Sequence, residues 1–280
     1  NGVCQGTQSN NPPTISSAAL TPTNAYAGDT LVCTASGAND IDGDAITFSY
    51  EWFVNGISSG NGATYNGALK DDTVNCRITP NDGTSNGPAV SSNSITIQNS
   101  APSIGSVAIG YSTQQHTSGT FAGDQLTCTP SGGSDVDGDA LTYAYTWYLN
   151  GVSHSTTQNL DTTGMSSGDV VYCSVVANDG TDNSAAVNSA STTVYTIHNI
   201  NIQNMAYSPS SITITQGDIL IWTNLDSVDH TVTEDGTSNV YFNSGLISNG
   251  QTYTMTGLGV GTYNYYCQPH PSMTGTIIVQ

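Results

Sequence analysis

A thiol, an imidazole and a thioether share one short loop, Cys267-Gln268-Pro269-His270-Pro271-Ser272-Met273, just before the alternating run Thr274-Gly275-Thr276-Ile277-Ile278-Val279. A second imidazole, His230, lies upstream in Ile221-Trp222-Thr223-Asn224-Leu225-Asp226-Ser227-Val228-Asp229-His230-Thr231-Val232. Two His, one Cys and a weak axial Met make the trigonal donor set that suits copper in one-electron exchange. The spacing predicts that one loop places three donors around one metal, while a distant strand brings His230 and ties the site to the core. Pro269 and Pro271 flank His270 and fix φ on either side of it. Asn224 and Thr231 are candidates for hydrogen bonds that orient the ligands.

The elements that carry this loop are predicted to be strands. Charged residues make up 8% of the 280, and the Leu, Glu, Lys and Ala needed on helix faces are scarce. A β-branched, Tyr-rich sequence punctuated by Gly, Asn-Gly and Asp-Gly reads as all-β. The length allows two or three domains.

The net charge of −19 sets 21 acids against Lys70 and Arg77. Such a surface repels nucleic acid, which excludes that partner class. It attracts divalent cations or a basic protein, with strong salt dependence; solubility in a salty or calcium-rich medium is the plainer reading. No stretch approaches the roughly 18 to 20 apolar residues of a membrane span. A start at Asn1 without Met reads as a processed chain or a fragment, its signal peptide already removed. No Asn begins an Asn-x-Ser/Thr sequon, so N-glycosylation is not expected.

The chain repeats itself at a period of 95 residues. Gly28-Asp29-Thr30-Leu31-Val32-Cys33 is answered by Gly123-Asp124-Gln125-Leu126-Thr127-Cys128. Asp40-Ile41-Asp42-Gly43-Asp44 is answered by Asp135-Val136-Asp137-Gly138-Asp139, and Trp52 by Trp147. Short alternating strands between turn signals suggest two copies of one sandwich. With their Asp-x-Asp-Gly-Asp turns, residues 12–196 resemble the Ig-like and PKD-like modules of bacterial and archaeal surface proteins. In an Ig-like sandwich the order Cys, Trp, Cys places two cysteines on facing sheets with the Trp against their bridge. This implies disulfides Cys33–Cys76 and Cys128–Cys173, against the alternative of buried free thiols. Such bridges place the protein outside a reducing cytosol.

The carboxylates Asp40, Asp42 and Asp44 with Asp82, and Asp135, Asp137 and Asp139 with Asp179, are two candidate calcium sets, since calcium takes six to eight oxygens. The alternative is that Asp and Gly simply make the turns, capping their own backbone. Prolines suggest the boundaries: an N-terminal segment 1–11, Ig-like domains at 12–99 and 100–196, and a third domain at 197–280.

The third domain breaks the repeat. Ser211–Trp222, His230–Thr233, Gly250–Met255 and Gly261–Cys267 resemble the strands and ligand segments of a cupredoxin of the plastocyanin type. The ligand loop Cys-x-x-His-x-x-Met is most similar to those of amicyanin and pseudoazurin. The resemblance implies a type 1 copper site: Cys267 the thiolate, His230 and His270 the other strong ligands, Met273 axial, and His270 the electron port. Many cupredoxins carry Asn directly after the upstream His; here it is Thr231, which leaves that contact open.

A bridge from Cys267 to Cys4 is the alternative use of Cys267, since six cysteines form an even set. His116, His154 and His198 read as surface or loop residues. Five His cannot also supply the His-rich centres of a multicopper oxidase, and no Gly-x-Ser-x-Gly, His-Glu-x-x-His or phosphate loop is present. The expectation is an extracellular one-electron carrier with a type 1 copper site on Ig-like modules, not an enzyme, serving a redox partner protein of basic character. Tyr265 and Tyr266 are candidates for an internal route. The second reading is a structural subunit of a surface filament or adhesin, self-assembling when segment 1–11 adds to a neighbour's sheet edge. Copper storage ranks below both.

Overall fold

The computed structural model describes residues 9–113 and 119–280; Cys4 and His116 lie outside them. Every regular element among the described residues is a strand, as the composition predicts.

In the first repeat, strands Ser17–Thr21, Leu31–Ser36 and Thr64–Tyr65 form one sheet. Ile57–Asn61, Thr47–Val54, Thr73–Asn81 and Val90–Ser91 form the other, with Ile95–Thr96 also paired to Thr73–Asn81. Thr73–Asn81 alternates between buried and open positions, the period-2 pattern of a strand with one face in the core. Leu20, Leu31, Trp52, Val74, Ile78 and Ile97 fill the space between the sheets. Cys33 and Cys76 bridge the sheets with Cα atoms 6.3 Å apart. Trp52 sits opposite Cys76 in the ladder and donates Nε1–H to the Gly62 carbonyl at 2.8 Å. An indole N–H buried without that acceptor would destabilise the fold.

The second repeat reproduces this plan. Asn159–Asp161, Gln125–Ser131 and Ser106–Thr113 make one sheet, and Val170–Asn178 lies next to Thr142–Leu149 in the other. Cys128 and Cys173 are bridged, and Trp147 donates to the Thr157 carbonyl at 3.1 Å. Both predicted disulfides are therefore present, and the free-thiol alternative falls.

The chain divides into two compact units, and the division runs through the second repeat. One unit gathers Asn1–Ile104, Gly132–Tyr143 and Val176–Ala185; the other gathers Gly105–Ser131, Ala144–Val175 and Ala186–Gln280. Hydrogen bonds within the first unit tie the linker at Asn99–Ser100 to its acidic loops. Asn99 Nδ2 donates to Asp179 and Asp182, at 3.0 and 2.8 Å, and Ser100 N–H donates to Asp137 at 2.6 Å. The Lys70 ammonium meets Asp139 at 2.7 Å.

Within the second unit the last 84 residues form two four-stranded sheets. In one, Ile197–Gln203 lies parallel to Ile219–Asn224, with Ala206–Ser208 and Thr252–Met255 outside them. In the other, Ser211–Ile214 lies parallel to Thr274–Val279, followed by Gly261–Tyr266 and Thr233–Glu234. Ile200, Ile202, Leu220, Trp222, Tyr265 and Ile277 lead the core. Trp222 donates Nε1–H to the Tyr265 hydroxyl at 3.2 Å, edge-on to its ring. Gly275 faces Tyr265 across the ladder, and a Cβ there would overlap the Tyr265 ring. The glycine thus creates the space that seats the aromatic side chain two residues before Cys267.

Candidate metal centre

Cys267 follows the strand Gly261–Tyr266, and two tight turns fold the chain back beneath it. His270 N–H donates to the Cys267 carbonyl at 3.1 Å, Met273 N–H to the His270 carbonyl at 2.9 Å, and Cys267 N–H to the Met273 carbonyl at 3.1 Å. The loop therefore holds itself closed through its own backbone. The other side comes from His230, which exchanges backbone bonds with Ile247 at 3.2 and 2.7 Å. His230 is 0% exposed.

These segments bring three donors together. Cys267 Sγ lies 3.5 Å from His230 Nδ1 and 3.6 Å from His270 Nδ1. All three donor atoms fall within 4.8 Å of one another. Cys267 and Met273 are buried in the core cluster, while His270 is half-buried. Cys267 is unbridged among the described residues. A soft thiolate, two imidazoles and a buried thioether at one end of a packed sandwich fit copper well and fit hard cations poorly.

The surroundings tune this cluster. Thr231 N–H points at the Cys267 sulfur at 3.4 Å, and the Thr231 hydroxyl accepts the Gln268 N–H at 2.8 Å. Thr231 thus links the two ligand segments with a single oxygen, which resolves the contact left open by the missing Asn. Asn224 is fully buried and pins the loop toward His230, donating to the Val228 and Ile247 carbonyls at 2.8 and 2.7 Å.

Two neighbours carried no sequence signal. Tyr207 donates its hydroxyl to the Thr231 carbonyl; burial, then the nearby Cys267, pushes its pKa far up, so it stays a neutral phenol. Asp226 lies 3.1 Å from His230 Nε2, and the Met205 N–H holds its carboxyl below the usual range. Its position four residues before His230 is the one trace a sequence could offer. Tyr265 is buried and its pKa is pushed up to about 12 by that burial, while Tyr266 is half-buried.

The acidic turns are built alike. Asp40 Oδ1 accepts the N–H groups of Asp42 and Asp44 at 2.8 and 3.1 Å; Asp135 Oδ1 accepts those of Asp137 and Asp139 at 2.8 and 3.2 Å. Carboxylate oxygens of Asp135, Asp137 and Asp139 lie within 4.8 Å of one another; among the described residues Asp40, Asp42 and Asp44 form no such group. Asp82 and Asp179 cap their own loops, accepting Ser85 and Asp182 N–H at 2.7 Å. His154 is exposed, and His198 Nε2 lies 2.9 Å from the buried Asp218.

The model of the copper binding proteins of the plastocyanin/azurin family matches residues 193–280. Amicyanin-alpha of Methylorubrum extorquens is 30% identical over 91 residues, covering 29% of this chain and 70% of that protein. Amicyanin of Paracoccus denitrificans is 29% identical over 91 residues; the chain spans 63% of its length. Plastocyanin of Scenedesmus fuscus is 30% identical over 86 residues, covering 27% of this chain and 88% of that protein. Through this C-terminal domain, whose buried Cys267 faces two imidazoles, the chain belongs to the plastocyanin/azurin family of copper-binding proteins.

Proposed function

We propose that the protein is a one-electron carrier rather than an enzyme, with copper held by His230, Cys267, His270 and Met273 in the domain 197–280, and with domains 12–99 and 100–196 carrying it. The observation that supports this most is the approach of two imidazole nitrogens, His230 Nδ1 and His270 Nδ1, to within 3.6 Å of Cys267 Sγ in a buried site. Copper supplies a centre that alternates between Cu(I) and Cu(II). The chain's residues do the rest. Cys267 and Met273 are presented from the dry core, His230 is anchored to Ile247, and the backbone bonds of the 267–273 loop limit rearrangement between states. Half-buried His270 offers the surface edge through which an electron passes to a partner.

Adding Cu(II) to the purified protein tests this. An intense thiolate-to-copper absorption with a narrow copper hyperfine splitting in EPR is expected; a colourless protein overturns the reading. The net charge of −19 favours a redox partner of basic character. Two disulfides favour an oxidising, extracellular or cell-surface setting.

A second, independent reading concerns the acidic turns, to which we assign a hard divalent cation such as calcium. Asp40 Oδ2, Asp135 Oδ2 and Asn99 Oδ1 are buried oxygens that no protein donor reaches, which leaves them open to a cation or to water. The Lys70 ammonium on Asp139 competes for that role. A melting temperature that is the same in calcium and in EGTA rejects the calcium reading.

A further inference from the structure

Three donors converge on one carboxylate beside the ligand cluster. Asp226 Oδ1 accepts the Asn204 N–H at 2.8 Å, and Oδ2 accepts the Met205 N–H at 2.9 Å while facing His230 Nε2 at 3.1 Å. Asn204 and Met205 turn the chain between Ile197–Gln203 and Ala206–Ser208, both in the left-handed region at φ 56° and 60°. That turn aims two consecutive N–H groups at the same acid. The Asp226 backbone is fixed as well: its N–H donates to Asn224 Oδ1 at 2.9 Å, and its carbonyl accepts Asn249 Nδ2 at 2.8 Å. The carboxylate is therefore held by two N–H groups of one turn, and its backbone by two asparagine side chains.

His230 has nowhere else to put its second nitrogen. The ring is fully buried, Nδ1 faces Cys267 Sγ at 3.5 Å, and Nε2 faces the carboxylate. We propose that Asp226 is a positioning residue for the copper centre: it fixes His230 as the Nε2–H tautomer, frees the Nδ1 lone pair for the metal, and favours Cu(II) over Cu(I) by its negative charge. This rests on the copper reading above. A neutral acceptor would fix the same tautomer, whereas an anion also makes the imidazole a stronger donor.

The test uses the full chain. Asp226→Asn keeps an acceptor oxygen and removes the charge. The thiolate-to-copper absorption should persist, while the Cu(II) dissociation constant rises about 10–100-fold. With the Cu(I) constant little changed, the reduction potential then rises by roughly 59 mV per tenfold loss. A second measurement needs no variant: ¹H–¹⁵N spectra of the wild-type Cu(I) protein should show a slowly exchanging proton on His230 Nε2. Unchanged potential and Cu(II) affinity in Asp226→Asn, with an intact blue band, reject the role of the charge. Absence of the Nε2 proton rejects the tautomer and decides the matter even if the variant does not fold. A wild-type protein that stays colourless removes the copper reading itself, a failure distinct from both.

Discussion

Thr231 shows how little side chain is needed to join two ligand segments. Its hydroxyl accepts the Gln268 N–H, its own N–H meets the Cys267 sulfur, and its carbonyl takes the Tyr207 hydroxyl. Thr231→Val keeps the shape and both backbone contacts but strands the Gln268 N–H. Unfolding of the metal-free variant in denaturant should show a loss of about 0.5–1.5 kcal/mol, the net worth of one hydrogen bond at a part-buried donor. Tyr265→Phe should behave similarly, because Trp222 Nε1–H then loses its acceptor; a midpoint equal to wild type would show that water replaces the hydroxyl. At this scale the sequence is a good guide where donors crowd together. Cys267, His270 and Met273 lie within seven residues, and their types are chemically unambiguous. Asp226 and Tyr207 were hidden for the opposite reason. Their contacts are set by the turn at Asn204–Met205 and by the crossing of strands, neither of which a local pattern encodes.

Strands explain why the ligand loop stays where it is. Tyr265 occupies the groove left by Gly275, so Gly275→Ala forces the ring to move; a loss of native near-ultraviolet ellipticity with retained far-ultraviolet signal is the expected result. The bridge between the sheets of the first repeat closes a span of 43 residues. Replacing Cys33 and Cys76 together by Ala should lower stability by about 4 kcal/mol in the chain-entropy view, measurable by urea unfolding. The Cys-Trp-Cys order made both bridges readable in advance through its resemblance to an Ig-like sandwich, in which the two cysteines face each other across the sheets. The capture of Asn99 by Asp179 and Asp182 was not readable, since it pairs polar side chains about 80 residues apart in sequence. It has a titratable signature. The Asn99 amide, then the Asp182 N–H, lowers the Asp179 pKa from 3.8 to about 2, and Asp82 is lowered to about 2 by Ser85 N–H and then Asn10. Both pKa values are depressed on folding, so this contribution is complete above pH 3.8 and disappears as pH falls toward 2. Asp179→Asn should flatten the pH dependence of the melting temperature within that window and lower the melting temperature at pH 7, where the contribution is complete.

For the molecule as a whole, charge is the dominant property. Both basic side chains are already paired, Lys70 with Asp139 and Arg77 with Glu51, so neither offsets the surrounding acids at a distance. Electron exchange with a small cationic complex should slow as ionic strength rises, and exchange with an anionic complex should quicken. Stopped-flow rates that ignore salt would show that the surface near His270 is shielded from the rest of the charge. The class of fold was legible throughout, from the missing helix formers and the repeat. The division into two compact units was not, because each unit gathers segments far apart in sequence, which the positions of the prolines do not mark.

The same capture recurs at each junction. Asn11 N–H donates to Asp42 at 2.6 Å, Ser100 N–H to Asp137 at 2.6 Å, and Thr196 N–H to Asp218 at 2.9 Å. In every case the acid lies downstream of the linker it grips. Each of these acids therefore grips the backbone just before its own segment, and at the second junction the Lys70 ammonium on Asp139 adds a matched side chain from the preceding repeat. A duplication that copies an Asp-bearing turn together with the few residues before it copies the fastening as well, as the matching Asn11–Asp42 and Ser100–Asp137 contacts of the two repeats show.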